Sequence, residues 1–129
     1  MDVSVARNYR VDVGVETAYV DDQSAPEDGQ FVFAYTITIT NTGTMPARLL
    51  RRHWVITDAD NNVREVRGDG VVGEQPHLDP GESFQYTSGA VLATPVGSMQ
   101  GSYNLIADDG VEFDAPIPPF NLAKPNAVN

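Results

Sequence analysis

The residues best equipped for chemistry gather in the middle of the chain. Gly68-Asp69-Gly70-Val71-Val72-Gly73 fits the pattern G-x-G-x-x-G, which in a dinucleotide-binding fold lets backbone amides approach a pyrophosphate at a helix N-terminus. Pro76 and Pro80 follow within seven residues, and a helix interior does not accept proline, so that reading fails. Glycine-rich backbone can still form an amide nest for an anion without a helix. Arg64 and Arg67, with Arg51, would add bidentate contacts to phosphate or carboxylate oxygens. Gly68, Gly70, Gly73, Arg64, Arg67 and Arg51 are therefore the candidate anion-binding residues. The competing reading is a bend between strands, its arginines solvated or paired with Glu65 and Asp69.

Other reactive residue types form weaker patterns. Asp58-Ala59-Asp60-Asn61-Asn62 begins like a calcium loop, but Val63 and Asp69 stand where such a loop needs glycine and glutamate, and flanking helices are not indicated. A polar hairpin turn is the simpler reading. His53 and His77 are the only histidines; His77 and Asp79 share a strand face, but spacing supplies no third ligand, so no metal site is assigned. Asp21-Asp22 and Glu27-Asp28 read as a solvated acidic loop. Ser83, Ser88 and Ser102 lie on no recognisable nucleophile elbow, and carboxylate pairs are commonplace in an acidic chain. The residues point to no catalytic centre and no cofactor.

Strands must position these residues, because apolar positions recur with period two almost throughout. Val11, Val13 and Val15 alternate with polar neighbours. Phe31, Phe33, Tyr35, Ile37 and Ile39 form one face of a long strand, the best candidate for the centre of the core, and Asn41-Thr42-Gly43 ends it. A strand over about 48–57 places Leu50, Trp54 and Ile56 in one register with Arg52 as an exception, and Leu49, Arg51, His53, Val55 and Thr57 on the other face. Residues 58–62 form a hairpin loop before a short strand from Val63 to Arg67. Pro80-Gly81 is a turn; Phe84 and Tyr86 alternate after it. Met99, Gly101, Tyr103, Leu105 and Ala107 line another face, Asp109-Gly110 turns, and Val111, Phe113 and Ala115 return. Pro116, Pro118 and Pro119 should end the sheet at an edge. Seven or more short strands with a lone tryptophan predict an all-β fold, an immunoglobulin/fibronectin type III-like antiparallel β-sandwich. Trp54 is read as a core residue.

Composition sets the outer limits. The 129 residues suit a single domain over 1–129, with a core of about 9–122 and a C-terminal tail frayed from Lys124 to Asn129. Without cysteine there is no disulfide, thiolate metal site or thiol nucleophile. No apolar run approaches the ~20 residues of a membrane span, and Met1-Asp2-Val3-Ser4 lacks the flank of a signal peptide, so a cytoplasmic location with no membrane contact is expected. Eight Lys+Arg against 18 Asp+Glu give a net charge of −10, which disfavours nucleic acid. The charge is uneven: residues 48–67 hold Arg48, Arg51, Arg52, Arg64 and Arg67 against Asp58, Asp60 and Glu65, a net of +2, leaving −12 for the rest.

Several long strings carry a resemblance. Arg52-His53-Trp54-Val55-Ile56-Thr57-Asp58, Glu65-Val66-Arg67-Gly68-Asp69-Gly70-Val71-Val72-Gly73-Glu74-Gln75-Pro76 and Leu78-Asp79-Pro80-Gly81-Glu82-Ser83-Phe84 resemble the ApaG family. So do Thr94-Pro95-Val96-Gly97-Ser98-Met99-Gln100-Gly101-Ser102-Tyr103 and Ile117-Pro118-Pro119-Phe120, and the likeness runs from about Tyr9 to Leu122. The resemblance implies a fibronectin-type-III-like sandwich and an association with cobalt resistance and magnesium efflux. It brings no catalytic residues. Similar domains in eukaryotic F-box proteins and in a DNA-polymerase-interacting protein look like interaction modules. The resulting expectation is a non-catalytic module with a protein partner, not an enzyme. Pyrophosphate or a dinucleoside polyphosphate at the glycine-rich segment is one alternative, and weak divalent-metal binding is another.

Overall fold

The computed structural model describes residues 8–126. The chain runs through β1 (Val11–Tyr19), two short 3-10 turns (Asp21–Gln23 and Pro26–Asp28), β2 (Phe31–Asn41), β3 (Ala47–Asp58), β4 (Val63–Asp69), β5 (His77–Leu78), β6 (Ser83–Leu92), β7 (Val96–Ala107) and β8 (Glu112–Ala123). β1-β2-β6 form one sheet, and β4-β3-β7-β8 the other, with β5 paired to the start of β3. Every pairing is antiparallel, and the two sheets make the expected immunoglobulin/fibronectin type III-like sandwich. Among the described residues no helix is long and apolar enough to cross a membrane.

The core follows the alternation of β2, whose Phe31, Phe33, Tyr35, Ile37 and Ile39 are all buried. Full burial of such a side chain is worth about 1.5–3 kcal/mol. Trp54 lies across from them, 2% exposed, with its ring edge-on to Tyr35, Phe120 and Tyr103 at centroid distances of 5.3, 5.9 and 6.4 Å. Tyr86 and Tyr103 join their hydroxyls by a hydrogen bond between the sheets. Burial pushes the Tyr86 phenol up to about 12 and that of Tyr103 higher still. Buried Asn41 is fully occupied: its Nδ2 donates to the Met45 and Leu78 carbonyls at 3.0 and 2.9 Å, and its Oδ1 accepts the Gly43 amide at 2.9 Å.

Two expectations need correction. Leu50 does not share the core face with Trp54 and Ile56. The β3–β7 register shifts between Leu49 and Arg51, so Leu50 is a bulge residue and the buried set is Ala47, Leu49, Trp54 and Ile56. The prolines lie on an edge strand, as expected, but do not terminate it. β8 continues through them to Ala123, because it is an edge strand and because Pro118 and Pro119 lie where the register between Met99–Phe120 and Gly101–Ile117 skips, opposite the single residue Gln100. Of the tail expected to fray, Lys124 donates its amide to the Pro95 carbonyl at 2.8 Å, and residues 127–129 lie outside the described residues.

Candidate anion-binding face

Alternation along β3 sends Trp54 inward and Arg51, His53 and Val55 outward. Antiparallel register then sets their neighbours. Arg51 stands between Asp69 of β4 and Asn104 of β7, and His53 between Arg67 and Ser102. These residues, with Arg52 and Gly68, border a concavity of about 370 Å³ on the outer face of the larger sheet. Arg51 Nη1 donates to Asn104 Oδ1 at 3.1 Å, and Asn104 Nδ2 donates to Asp114 Oδ1 at 3.1 Å. His53 Nε2 lies 2.8 Å and Arg67 Nη2 3.5 Å from Glu65 Oε1. The His53 hydrogen bond, and then the Arg67 charge, hold the Glu65 carboxyl below the ordinary glutamate range. A second concavity adjoins the first at His53 and Ser102 and has an apolar rim of Val55, Pro116, Pro118 and Pro119.

The acid-rich chain leaves several arginines without acids. Among the described residues Arg48, Arg51, Arg52 and Arg64 have no carboxylate within 4.0 Å. Three of these are held instead by carbonyls: Arg48 by Gln75 at 2.7 Å, Arg52 by Asp69 and Gly70 at 3.0 Å each, and Arg64 by Val91 at 3.3 Å. Carbonyls fix a guanidinium in place without cancelling its charge.

Each glycine of the G-x-G-x-x-G segment has its own structural reason. A Cβ on Gly68 would come within 2.8 Å of the Arg52 guanidinium, so its absence makes room for that side chain. Gly70 has φ +64° and a Cβ there would collide with the Glu74 carbonyl oxygen. Gly73, at φ +82°, follows Val72, at φ +44°, at the tip of a two-residue hairpin closed by Val71 N to Glu74 O at 2.8 Å and Glu74 N to Val71 O at 2.9 Å. Two consecutive positive φ angles are the signature of a type I′ turn. The Gly70 amide donates to the Leu50 carbonyl at 2.8 Å. With the amides of Gly70, Val71 and Glu74 satisfied within the chain, the segment does not gather them into an anion nest.

The structure therefore divides the six candidates. Arg51, Arg67 and Gly68 border one concavity. Gly70 and Gly73 lie beyond it in the hairpin. Arg64 is on the opposite face of β4, paired with inward-facing Ile56, because residues three apart in a strand point opposite ways. His53, Ser102 and Asn104 were missed. His53 was legible, since it shares a strand face with Arg51, but Ser102 and Asn104 arrive by a pairing of β3 with β7 that no local spacing encodes.

The weaker patterns resolve as structure. Asp58 Oδ1 accepts the Asp60 and Asn62 amides at 2.8 and 3.0 Å, closing a polar hairpin turn. His77 Nε2 lies 2.9 Å from Asp108 Oδ1 and its Nδ1 3.9 Å from Asp79 Oδ1, but among the described residues no group of three or more His, Asp or Glu side chains is placed to hold a metal ion. Ser102 faces His53 across the ladder, yet His53 Nε2 is committed to Glu65 rather than to the serine hydroxyl that a Ser–His pair would activate.

Comparison with known proteins agrees over almost the whole chain. The family model of the ApaG domain matches residues 21–107. Protein ApaG of Thiobacillus denitrificans is 59% identical over 123 residues, covering 95% of this chain and 97% of the relative. Protein ApaG of an Azoarcus species is 59% identical over 127 residues, covering 98% and 100%. A crystal structure of a Bordetella pertussis protein described as ApaA, 51% identical, superposes with a TM-score of 0.91 over 94% of this chain and 98% of that one. The sandwich, its glycine-rich hairpin and these likenesses converge: the chain belongs to the ApaG family.

Proposed function

We propose that the protein is a non-catalytic binding module that holds an anionic group of its ligand, a phosphate or a carboxylate, between Arg51 and Arg67. The observation that carries this reading is the concavity itself. In a chain of net charge −10 it draws three arginines, Arg51, Arg52 and Arg67, to one opening beside Asp69, and among the described residues Arg51 is bonded to the neutral Asn104 amide and to no carboxylate. The adjoining apolar rim of Val55, Pro116, Pro118 and Pro119 favours a protein as the bearer of that anion. His53 and Ser102 serve as polar walls, with His53 anchored by Glu65. In the cytoplasm such a module would act on cobalt and magnesium handling through its partner, without itself holding the metal.

Titration of the labelled protein with inorganic pyrophosphate, followed by amide shifts and by calorimetry, tests the reading. Shifts are expected at His53, Gly68, Ser102 and Asn104. Arg51→Ala and Arg67→Ala should each weaken binding about tenfold, the value of one charge-assisted contact, while Arg64→Ala should leave it unchanged. Absence of shifts at millimolar pyrophosphate, or binding indifferent to both outer-face substitutions, would overturn it.

A further inference from the structure

Among the described residues four long strands end a sheet: β1 and β6 in one, β4 and β8 in the other. Natural sheet edges are protected from stray pairing by charge, proline or bulges. β1 has Asp12 and Glu16, β4 has Arg64, Glu65, Arg67 and Asp69, and β8 has three prolines and a bulge. The ten residues of β6, Ser-Phe-Gln-Tyr-Thr-Ser-Gly-Ala-Val-Leu, contain no charge and no proline.

The outward-facing groups of that edge can be assigned. Asn41 N donates to Glu82 O, so even-numbered residues of this strand exchange backbone bonds with β2. Alternation then turns the amides and carbonyls of Ser83, Gln85, Thr87, Gly89 and Val91 away from the sheet. The Val91 carbonyl has this phase, since it accepts Arg64 Nη2 from across the gap at 3.3 Å. The side chains do not fold over the edge: Ser83 bonds to Thr40 at 2.7 Å, Gln85 to Thr38 at 2.9 Å and Thr87 to Thr36 at 2.8 Å.

Beside this edge the sandwich opens between β6 and β4. A cleft of about 270 Å³ has Tyr35 and Trp54 in its wall and Arg52, Arg64 and Ser88 at its rim. Both arginines are held by carbonyls alone and lack a carboxylate within 4.0 Å among the described residues.

We propose that β6 and this cleft form a second binding site, which takes an extended acidic segment of a partner protein as an added strand, with one Asp or Glu side chain seated between Arg52 and Arg64. The incoming amide replaces Arg64 at the Val91 carbonyl, and the released guanidinium turns to the carboxylate. Side chains opposite the even-numbered residues of β6 point toward the cleft, so the acid sits opposite Ser88, and the residues two before and two after it are apolar, above Tyr86 and Ala90. A second copy of this chain is a poorer occupant. Pairing through its own β6 would offer the arginines no acid and would bring together two molecules of charge −10.

The probe is the acetylated, amidated peptide Thr-Val-Thr-Glu-Thr-Val-Thr, added to the labelled full chain. Binding should slow hydrogen exchange at the amides of Gln85, Thr87, Gly89 and Val91 and leave the even-numbered amides of β6 unchanged. Replacing the peptide's Glu with Gln, or substituting Arg64→Ala, should weaken binding about tenfold. Gly89→Pro removes an outward donor and should abolish it; if that variant does not fold, Arg64→Ala and the Gln peptide still decide. Shifts confined to Arg51, His53 and Arg67 would overturn the proposal in favour of the outer face, and protection without loss in the Gln peptide would overturn the role of the arginines. Peptide-independent dimerisation, read by sedimentation and abolished by Gly89→Pro, would assign the edge to a second copy and overturn it as well.

Discussion

Gly70 and Gly73 sit in one motif but answer to different constraints, and substitution separates them. At Gly73 an added Cβ meets nothing within 4 Å, so Gly73→Ala should cost only the left-handed backbone penalty, about 1–2 kcal/mol. Gly70→Ala adds the collision with the Glu74 carbonyl and should cost clearly more, measured as the urea midpoint of each variant. Pyrophosphate binding by the folded Gly73→Ala protein should match that of the unaltered chain, whereas a nest built on these glycines would lose it. The spacing of the glycines was legible in the sequence; their reasons were not. A neighbouring guanidinium, a carbonyl four residues on and a hairpin tip are tertiary facts, and three unrelated constraints happened to spell a nucleotide motif. The opposite facing of Arg64 and Arg67 was available from their separation alone, once the segment was read as a strand.

At the scale of the elements, β2 was readable because its apolar residues alternate without interruption. β3 was not, because Leu49 and Leu50 are both apolar and either can be assigned to the core. Only the shifted pairing with β7 decides between them, and the shift reverses the faces before the bulge relative to those after it. β8 misled for a related reason: proline lacks a ladder donor, but an edge strand with a bulge can carry it. The hairpin between β4 and β5 holds a residue poorly suited to its place. Val72 is β-branched, 55% exposed and at φ +44°, where a type I′ turn favours asparagine before glycine. Val72→Asn should therefore stabilise the protein by about 1 kcal/mol, seen as a higher urea midpoint with no change in the slope.

Across the whole molecule, charge was readable in amount but not in arrangement. The net of −10 and the basic stretch at 48–67 are facts of sequence. That this stretch splits between an outer concavity and an inner cleft follows from strand alternation and register together. The interior makes its own pH statement. Unfolded tyrosines ionise near 10, whereas burial holds Tyr86 protonated to about 12 and Tyr103 beyond it. Above pH 10 the native state thus retains protons that the unfolded chain has lost, and stability must fall as pH rises from there through 12. Urea midpoints at pH 9, 10.5 and 11.5 should decline progressively. Tyr86→Phe should start lower by about 1 kcal/mol, for the lost hydrogen bond to Tyr103, and decline less steeply. The order of strands also bears on how the chain assembles. β2 meets β6, and β3 meets β7, across some forty to sixty intervening residues, so these ladders close late, after the hairpins β1–β2, β3–β4 and β7–β8. Until its partner β2 captures it, β6 waits with both edges open and nothing in its sequence to discourage another chain. Aggregation during synthesis should therefore begin at Ser83–Leu92.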